Sequence, residues 1–169
     1  MINEDAGSIE FMFWNVCRST EVTAFSLGDI DRDFKTITFE RTLVLSDDGL
    51  VIKQGLKTQQ RRVFPCGEGL QVFLKSIAPE EIDLGRLVFT PPKVKYVDMH
   101  NFSSKKWKPI LLAAGVDYRK LYSIRHTCIT FCIDAGMDAK NVSKLVGNIP
   151  EIIYRHYAGS KRNLVAPGF

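Results

Sequence analysis

The apolar pattern of this chain changes period twice, and that change limits the architectures open to it. Ala6, Ile9, Phe13 and Val16 recur at helical spacing and predict a helix from about Asn3 to Val16. A short helix from Ser19 to Phe25 follows. Beyond Gly28 the period becomes two: Ile30, then Thr36 to Phe39 around the polar turn Asp31 to Lys35, then Leu43 to Leu45. Ser46 to Gly49 has turn composition, Gly55 to Arg62 is polar and basic, and Val63 to Cys66 closes the sheet.

Helical spacing then returns. Gly69 to Ile77 predicts an amphipathic helix, and a brief extended piece from Leu87 to Thr90 is ended by Pro91 and Pro92. Asn101 to Ala114 predicts a helix that packs Trp107, Ile110 and Leu111 inward. The clearest stripe is Ile124, Cys128, Phe131, Cys132 and Ala135 on a helix from about Ser123 to Ala135, with Gly136 suited to a left-handed cap. Asp138 caps the next helix, whose inner residues are Val142, Leu145 and Val146 and which Gly147 ends. The last helix starts near Pro150 and reaches about Tyr157. The expected fold is α+β and mostly helical, one domain over residues 1–169, with a small three-stranded antiparallel sheet.

Composition bounds the chemistry. No apolar run is long enough to span a bilayer and the N-terminus lacks signal-peptide character, so a soluble cytoplasmic protein is the expectation. Cys17, Cys66, Cys128 and Cys132 read as core thiols, because they lack paired zinc-site spacing and the density of a disulfide framework. His100, His126 and His156 do not cluster with acids, which argues against a metal. Residues 1–50 hold 4 Lys/Arg against 10 Asp/Glu and the rest hold 19 against 9, a net of −6 and +10. An imbalance of that size suits a polyanionic partner.

Four separated motifs line up along the chain. The first is Arg18 and Glu21 in Cys17-Arg18-Ser19-Thr20-Glu21, followed by Leu27-Gly28-Asp29-Ile30-Asp31. The second is Gly55-Leu56-Lys57-Thr58 leading to Arg61-Arg62-Val63-Phe64-Pro65. The third is Tyr122-Ser123-Ile124-Arg125-His126-Thr127, and the fourth is Leu145-Val146-Gly147-Asn148 with Tyr157 nine residues beyond. In order and spacing they resemble the boxes of tyrosine recombinases of the phage-integrase type, from Phe11 to Gly159. The resemblance implies that family's catalytic-domain fold, double-stranded DNA as substrate, and a tetramer assembled on two DNA sites, with accessory excision or host DNA-bending proteins as further partners. It also implies a longer protein with an additional N-terminal DNA-binding domain.

The chemistry that the resemblance implies fits these residue types. A phosphodiester under attack gathers charge on its nonbridging oxygens, and two guanidinium groups, Arg18 and Arg125, would clamp them. Tyr157 would attack phosphorus and keep the bond energy in a 3′-phosphotyrosine, so no cofactor is needed. Lys57 would protonate the departing 5′ oxygen. Lys53, Arg61, Arg62 and Arg155 would contact DNA. Tyr122 stands where the family usually has histidine; a phenol titrating near ~10 suits a hydrogen-bond donor better than a general base. Asn148 replaces the usual histidine or tryptophan and could donate to a phosphate oxygen.

Plainer readings stand beside these. Arg18 could be a surface partner of Glu21, and Lys57 part of a solvated basic hairpin. Asn148 could cap the final helix, Tyr122 could be a packing residue, and Tyr154 is a rival nucleophile three residues before Tyr157. His126 and His156 flank the site in sequence and read as core or supporting residues; Glu21 and Asp29 read as structural. A DNA-binding homologue impaired in cleavage and a type IB topoisomerase are the alternative functions.

Overall fold

A computed structural model describes residues 4–57, 61–79, 83–90 and 95–157. The expected stop at Pro91 and Pro92, and the docking of the tail 158–169 on its own subunit or a neighbour, lie outside the described residues.

Helix α1 spans Glu4–Asn15 and α2 spans Ser19–Val22. Between them Val16 adopts φ +57, a left-handed conformation that strains a β-branched residue by on the order of 1–3 kcal/mol. Asn15 secures the turn by accepting from the Cys17 N–H at 3.1 Å. A 3₁₀ turn at Leu27–Asp29 leads to strands β1 (Thr36–Phe39), β2 (Arg41–Ser46), β3 (Gly49–Gln54) and β4 (Arg62–Pro65). Helices α3 (Glu68–Ile77) and α4 (Met99–Phe102) follow, and α4 runs through a π-helical turn at Ser103–Trp107 into α5 (Lys108–Ala113). The domain closes with α6 (Ser123–Asp134), α7 (Ala139–Val146) and α8 (Pro150–Tyr157).

The single three-stranded sheet expected from sequence is replaced by two antiparallel pairs, β1 with β4 and β2 with β3. Strand β3 has no clean alternation of apolar and polar residues, because its ladder with β2 is largely solvent-facing: Leu45 is 79% exposed and Val51 36%. Asp47 and Asp48 form the two-residue loop, and Gly49 takes φ +105 on leaving it. The β1–β4 pair is the buried one. Ile37, Phe39 and Phe64 face the core from it.

Two apolar clusters build the interior. The first is aromatic: Phe11 meets Phe25 at 4.6 Å and Phe89 at 5.0 Å between ring centroids. The second gathers Val16, Cys128, Ile129, Val142, Val146 and Ile153 from the C-terminal helices and the end of α1. Cys17 belongs to the first and Val16 to the second, so Arg18 emerges at their seam. All four thiols are free; burial pushes Cys66 and Cys128 up to about 11.

Three expectations are corrected. Helix α2 ends at Val22 rather than Phe25. On α6 the buried residues are Arg125, Cys128 and Ile129, while Phe131 is 59% exposed. The helix is turned because a hydrogen-bonded arginine occupies an interior position. Ile110 is likewise 53% exposed; it borders an open apolar groove of about 920 Å3 that Ile9, Phe13, Trp107 and Ile124 also line. No helix among the described residues is long and apolar enough to cross a membrane.

Candidate active site

The last carbonyls of a helix have no partner within it and carry its negative dipole end. At the end of α7 three arginines from three segments supply the partners. Arg62 Nη1 donates to Leu145 O at 2.9 Å, Arg125 Nη2 to Val146 O at 2.6 Å, and Arg18 Nη2 to Gly147 O at 2.8 Å. Gly147 makes this possible by adopting φ +63, which turns the chain sharply toward Asn148 and α8.

The carboxylate of Glu21 lies between two of these guanidinium groups. It receives Arg18 Nη1 at 2.8 Å and Arg62 Nη2 at 2.6 Å, and its second contact with Arg18 is the backbone N–H at 3.0 Å. Burial alone would raise the Glu21 carboxyl, but Arg62 and the Arg18 hydrogen bonds outweigh it and hold it below the ordinary value. Arg125 is 1% exposed and also donates to Val16 O at 2.5 Å, so the strained turn after α1 aims a carbonyl at it. Burial, and next the nearby Arg18 charge, pull Arg125 below its ordinary value. Three cations thus share one carboxylate among the described residues. The surplus charge suits an anion.

Helix α6 carries the next layer. Tyr122 sits at its N-cap, 49% exposed, and its ring meets His126 edge-on at 4.9 Å. His126 also meets Tyr157, ring centroids 5.5 Å apart, and the Tyr157 hydroxyl is hydrogen-bonded to His126 Nδ1. Burial and the Tyr122 phenol raise Tyr157, with Arg125 pulling the other way. Burial, Arg125 and His156 lower His126. An imidazole biased toward its neutral form therefore faces a phenol biased toward its protonated form.

The remaining sequence candidates fall as follows. Lys57 is exposed just past β3 and lines a cleft of about 360 Å3 with Arg18, Glu21 and Lys53. Lys53, Arg61 and Arg155 are exposed, Arg61 lying 3.9 Å from Glu40. Arg62 is corrected as a DNA contact: it is 3% exposed, bonded to Glu21 and Leu145, and laid over the Phe39 ring at 4.3 Å. Its guanidinium is used inside the domain. Asn148 is half-buried and its backbone N–H donates to Ser143 O at 3.0 Å; Ile149, one residue later, takes the cap position before Pro150. Tyr154 stands 57% exposed. Asp29 is structural, bridging Arg41 at 2.5 Å.

Sequence reasoning placed His126 beside the site as a core or supporting residue, without its contact to Tyr157. Nothing in the spacing of α6 and α8 shows that two residues thirty-one positions apart will touch. The surrounding motif offers a weak signal, since His126 adjoins Arg125.

Known proteins resemble this chain in sequence and in fold. No family model matches the chain. A tyrosine recombinase XerC-like protein of Caldanaerobacter subterraneus is 41% identical over 166 residues, covering 82% of this chain and 42% of that protein. An integrase of Saccharopolyspora erythraea is 30% identical over 144 residues, covering 82% and 30%. The chain therefore spans less than half the length of these curated relatives. Among solved structures, the Tn1549 transposon integrase in complex with a circular intermediate DNA superposes with TM-score 0.76 at 16% identity, covering 92% of this chain and 55% of that one. The catalytic domain of bacteriophage HP1 integrase gives 0.59 at 16%, covering 90% and 73%.

Proposed function

Because this chain belongs to the tyrosine recombinase family, we propose that it is the catalytic part of a site-specific DNA recombinase that cleaves and rejoins strands through a 3′-phosphotyrosine. One observation carries the reading: Arg18 and Arg125, far apart in sequence, bind adjacent carbonyls at the end of α7, and Tyr157 is hydrogen-bonded to His126, the residue that follows Arg125.

A scissile phosphate would meet Arg18 first, because that side chain is 15% exposed whereas Arg125 is almost wholly covered. Reaching Arg125 requires the side chains above it to shift. Negative charge that develops on the nonbridging oxygens is stabilised by both guanidinium groups, whose orientation the α7 carbonyls fix beforehand. Tyr157 attacks phosphorus in line. Lys57, which lines the same cleft as Arg18, gives a proton to the departing 5′ oxygen, and Asn148 donates to a phosphate oxygen. Tyr122 supports the layer by hydrogen bonding and packing.

Lys53, Arg61 and Arg155 supply phosphate contacts that strengthen binding without reading sequence. Structural neighbours solved in complex with DNA, the Tn1549 transposon integrase among them, support double-stranded DNA as the partner in this reading. Assembly as a tetramer on two duplexes, with accessory excision or DNA-bending proteins, completes the proposal.

A nicked suicide substrate tests it. A covalent protein–DNA adduct that disappears in Tyr157→Phe supports the recombinase. Duplex binding without any adduct would leave a DNA-binding homologue that has lost cleavage, a reading that the burial of Arg125 favours. Supercoil relaxation without recombinant product would point to a topoisomerase.

A further inference from the structure

We propose that His126 is a catalytic residue, the base that takes the phenolic proton from Tyr157 as the tyrosine attacks phosphorus. The inference rests on the recombinase reading and assigns a proton acceptor that the reading leaves open.

Geometry carries it. The imidazole of His126 contacts two phenols, edge-on to Tyr122 and hydrogen-bonded through Nδ1 to the Tyr157 hydroxyl. General base catalysis requires hydrogen-bond reach to the proton that is removed, and this contact has it without a bridging group. Tyr122 also neighbours Tyr157 electrostatically, but a second phenol is no stronger a base than the first. The imidazole is the better acceptor of the two.

Among the described residues, the charged and titratable groups facing His126 are Arg125 on its own helix, Tyr122 at the cap of that helix, and His156 and Tyr157 on α8. Burial, Arg125 and His156 favour the neutral imidazole, and in the tautomer protonated at Nε2 its Nδ1 accepts from the Tyr157 hydroxyl. An incoming phosphodiester brings a negative charge to the arginines. That charge offsets the repulsion that an imidazolium would meet beside Arg125, so basicity is gained only when substrate is present.

The step balances. The Tyr157 oxygen bonds to phosphorus and the P–O5′ bond breaks. The phenolic proton passes to Nδ1 of His126, and the 5′ oxygen takes a proton from Lys57. On religation the 5′ hydroxyl returns its proton to Lys57, and the departing tyrosine recovers its own from His126.

The test uses the 169-residue chain with a pool of nicked duplexes randomised around the nick, adducts being counted on denaturing gels. His126→Asn retains a hydrogen-bond acceptor near the place of Nδ1 but cannot take a proton. It should slow adduct formation by ~10²-fold or more while binding duplex as before, on the scale of lost general base catalysis. The unaltered chain should show a rate that rises with pH through the imidazole range and then levels, and His126→Asn should lose that rise. Added imidazole should partly restore His126→Ala. Cleavage by His126→Asn at the unaltered rate, or with the rise retained, overturns the inference alone. No adduct from the unaltered chain overturns the recombinase reading and the inference with it.

Discussion

Glu21 and Arg62, forty-one residues apart in sequence, form an ion pair of 2.6 Å in which each side chain is 1% exposed. A pair so placed is destructive to break from one side, because the remaining charge stays buried without compensation. Arg62→Ala should therefore cost about 3–5 kcal/mol in urea unfolding, an unusually large effect for a residue in a basic hairpin. Unchanged stability in Arg62→Ala would contradict the ion pair.

Lys53 should behave in the opposite way. It is exposed, so its ammonium is free to neutralise a phosphate. Lys53→Ala should lower the salt slope of duplex binding by about 1, the share of a single neutralised phosphate, with unfolding left unaltered. Titrations of duplex at several salt concentrations check this, and an unaltered slope would take Lys53 off the DNA.

The Glu21–Arg62 pair also sets a pH dependence. The folded carboxyl of Glu21 titrates below its unfolded value, so its contribution is fully present above the ordinary carboxylate pKa and is lost as pH falls through the depressed folded one. Unfolding free energy of the unaltered chain should decline over that acid window. In Glu21→Gln the decline should be shallower, with lower stability at neutral pH; identical slopes in the two proteins argue against the shift.

Arg18 should separate activity from folding. It is the most exposed of the three arginines at the end of α7, and its removal leaves Arg62 on Glu21. Arg18→Ala should lower adduct formation by ~10²-fold or more, as loss of one donor to developing charge does, while costing about 1 kcal/mol of stability. Single-turnover cleavage beside thermal unfolding checks both; unchanged cleavage removes Arg18 from the clamp.

Gly147 adopts φ +63, and a side chain there strains the backbone. Gly147→Ala should cost roughly 1 kcal/mol and shift the carbonyl that holds Arg18. Cleavage should fall by more than the stability loss explains. A variant as stable and active as the original would show that the turn tolerates other conformations.

Much of the fold was legible in the chain itself. The spacing of Val142, Leu145 and Val146 between Asp138 and Gly147 defined α7 with its caps, and both appear in the structure: Asp138 accepts from the Asn141 N–H at 2.9 Å and Gly147 is left-handed. These are local effects, settled within one turn of backbone. Strand β3 and the rotation of α6 were not legible. Both depend on what a distant surface offers, solvent in one case and the Val16 and Val146 carbonyls in the other.

The residue types of the site, their order and their spacing were fixed by sequence, because helix periodicity, caps and turn glycines are written in neighbouring residues. Which cations face outward and which hold the core was decided only by folding. Arg61 and Arg62 are adjacent and chemically alike, yet the alternation at the start of β4 leaves one exposed and sends the other onto Glu21. The contact between His126 and Tyr157 likewise exists only because α6 and α8 meet in the second apolar cluster. Short-range geometry is encoded by neighbours, whereas burial, pairing and protonation depend on groups that the chain brings together from afar.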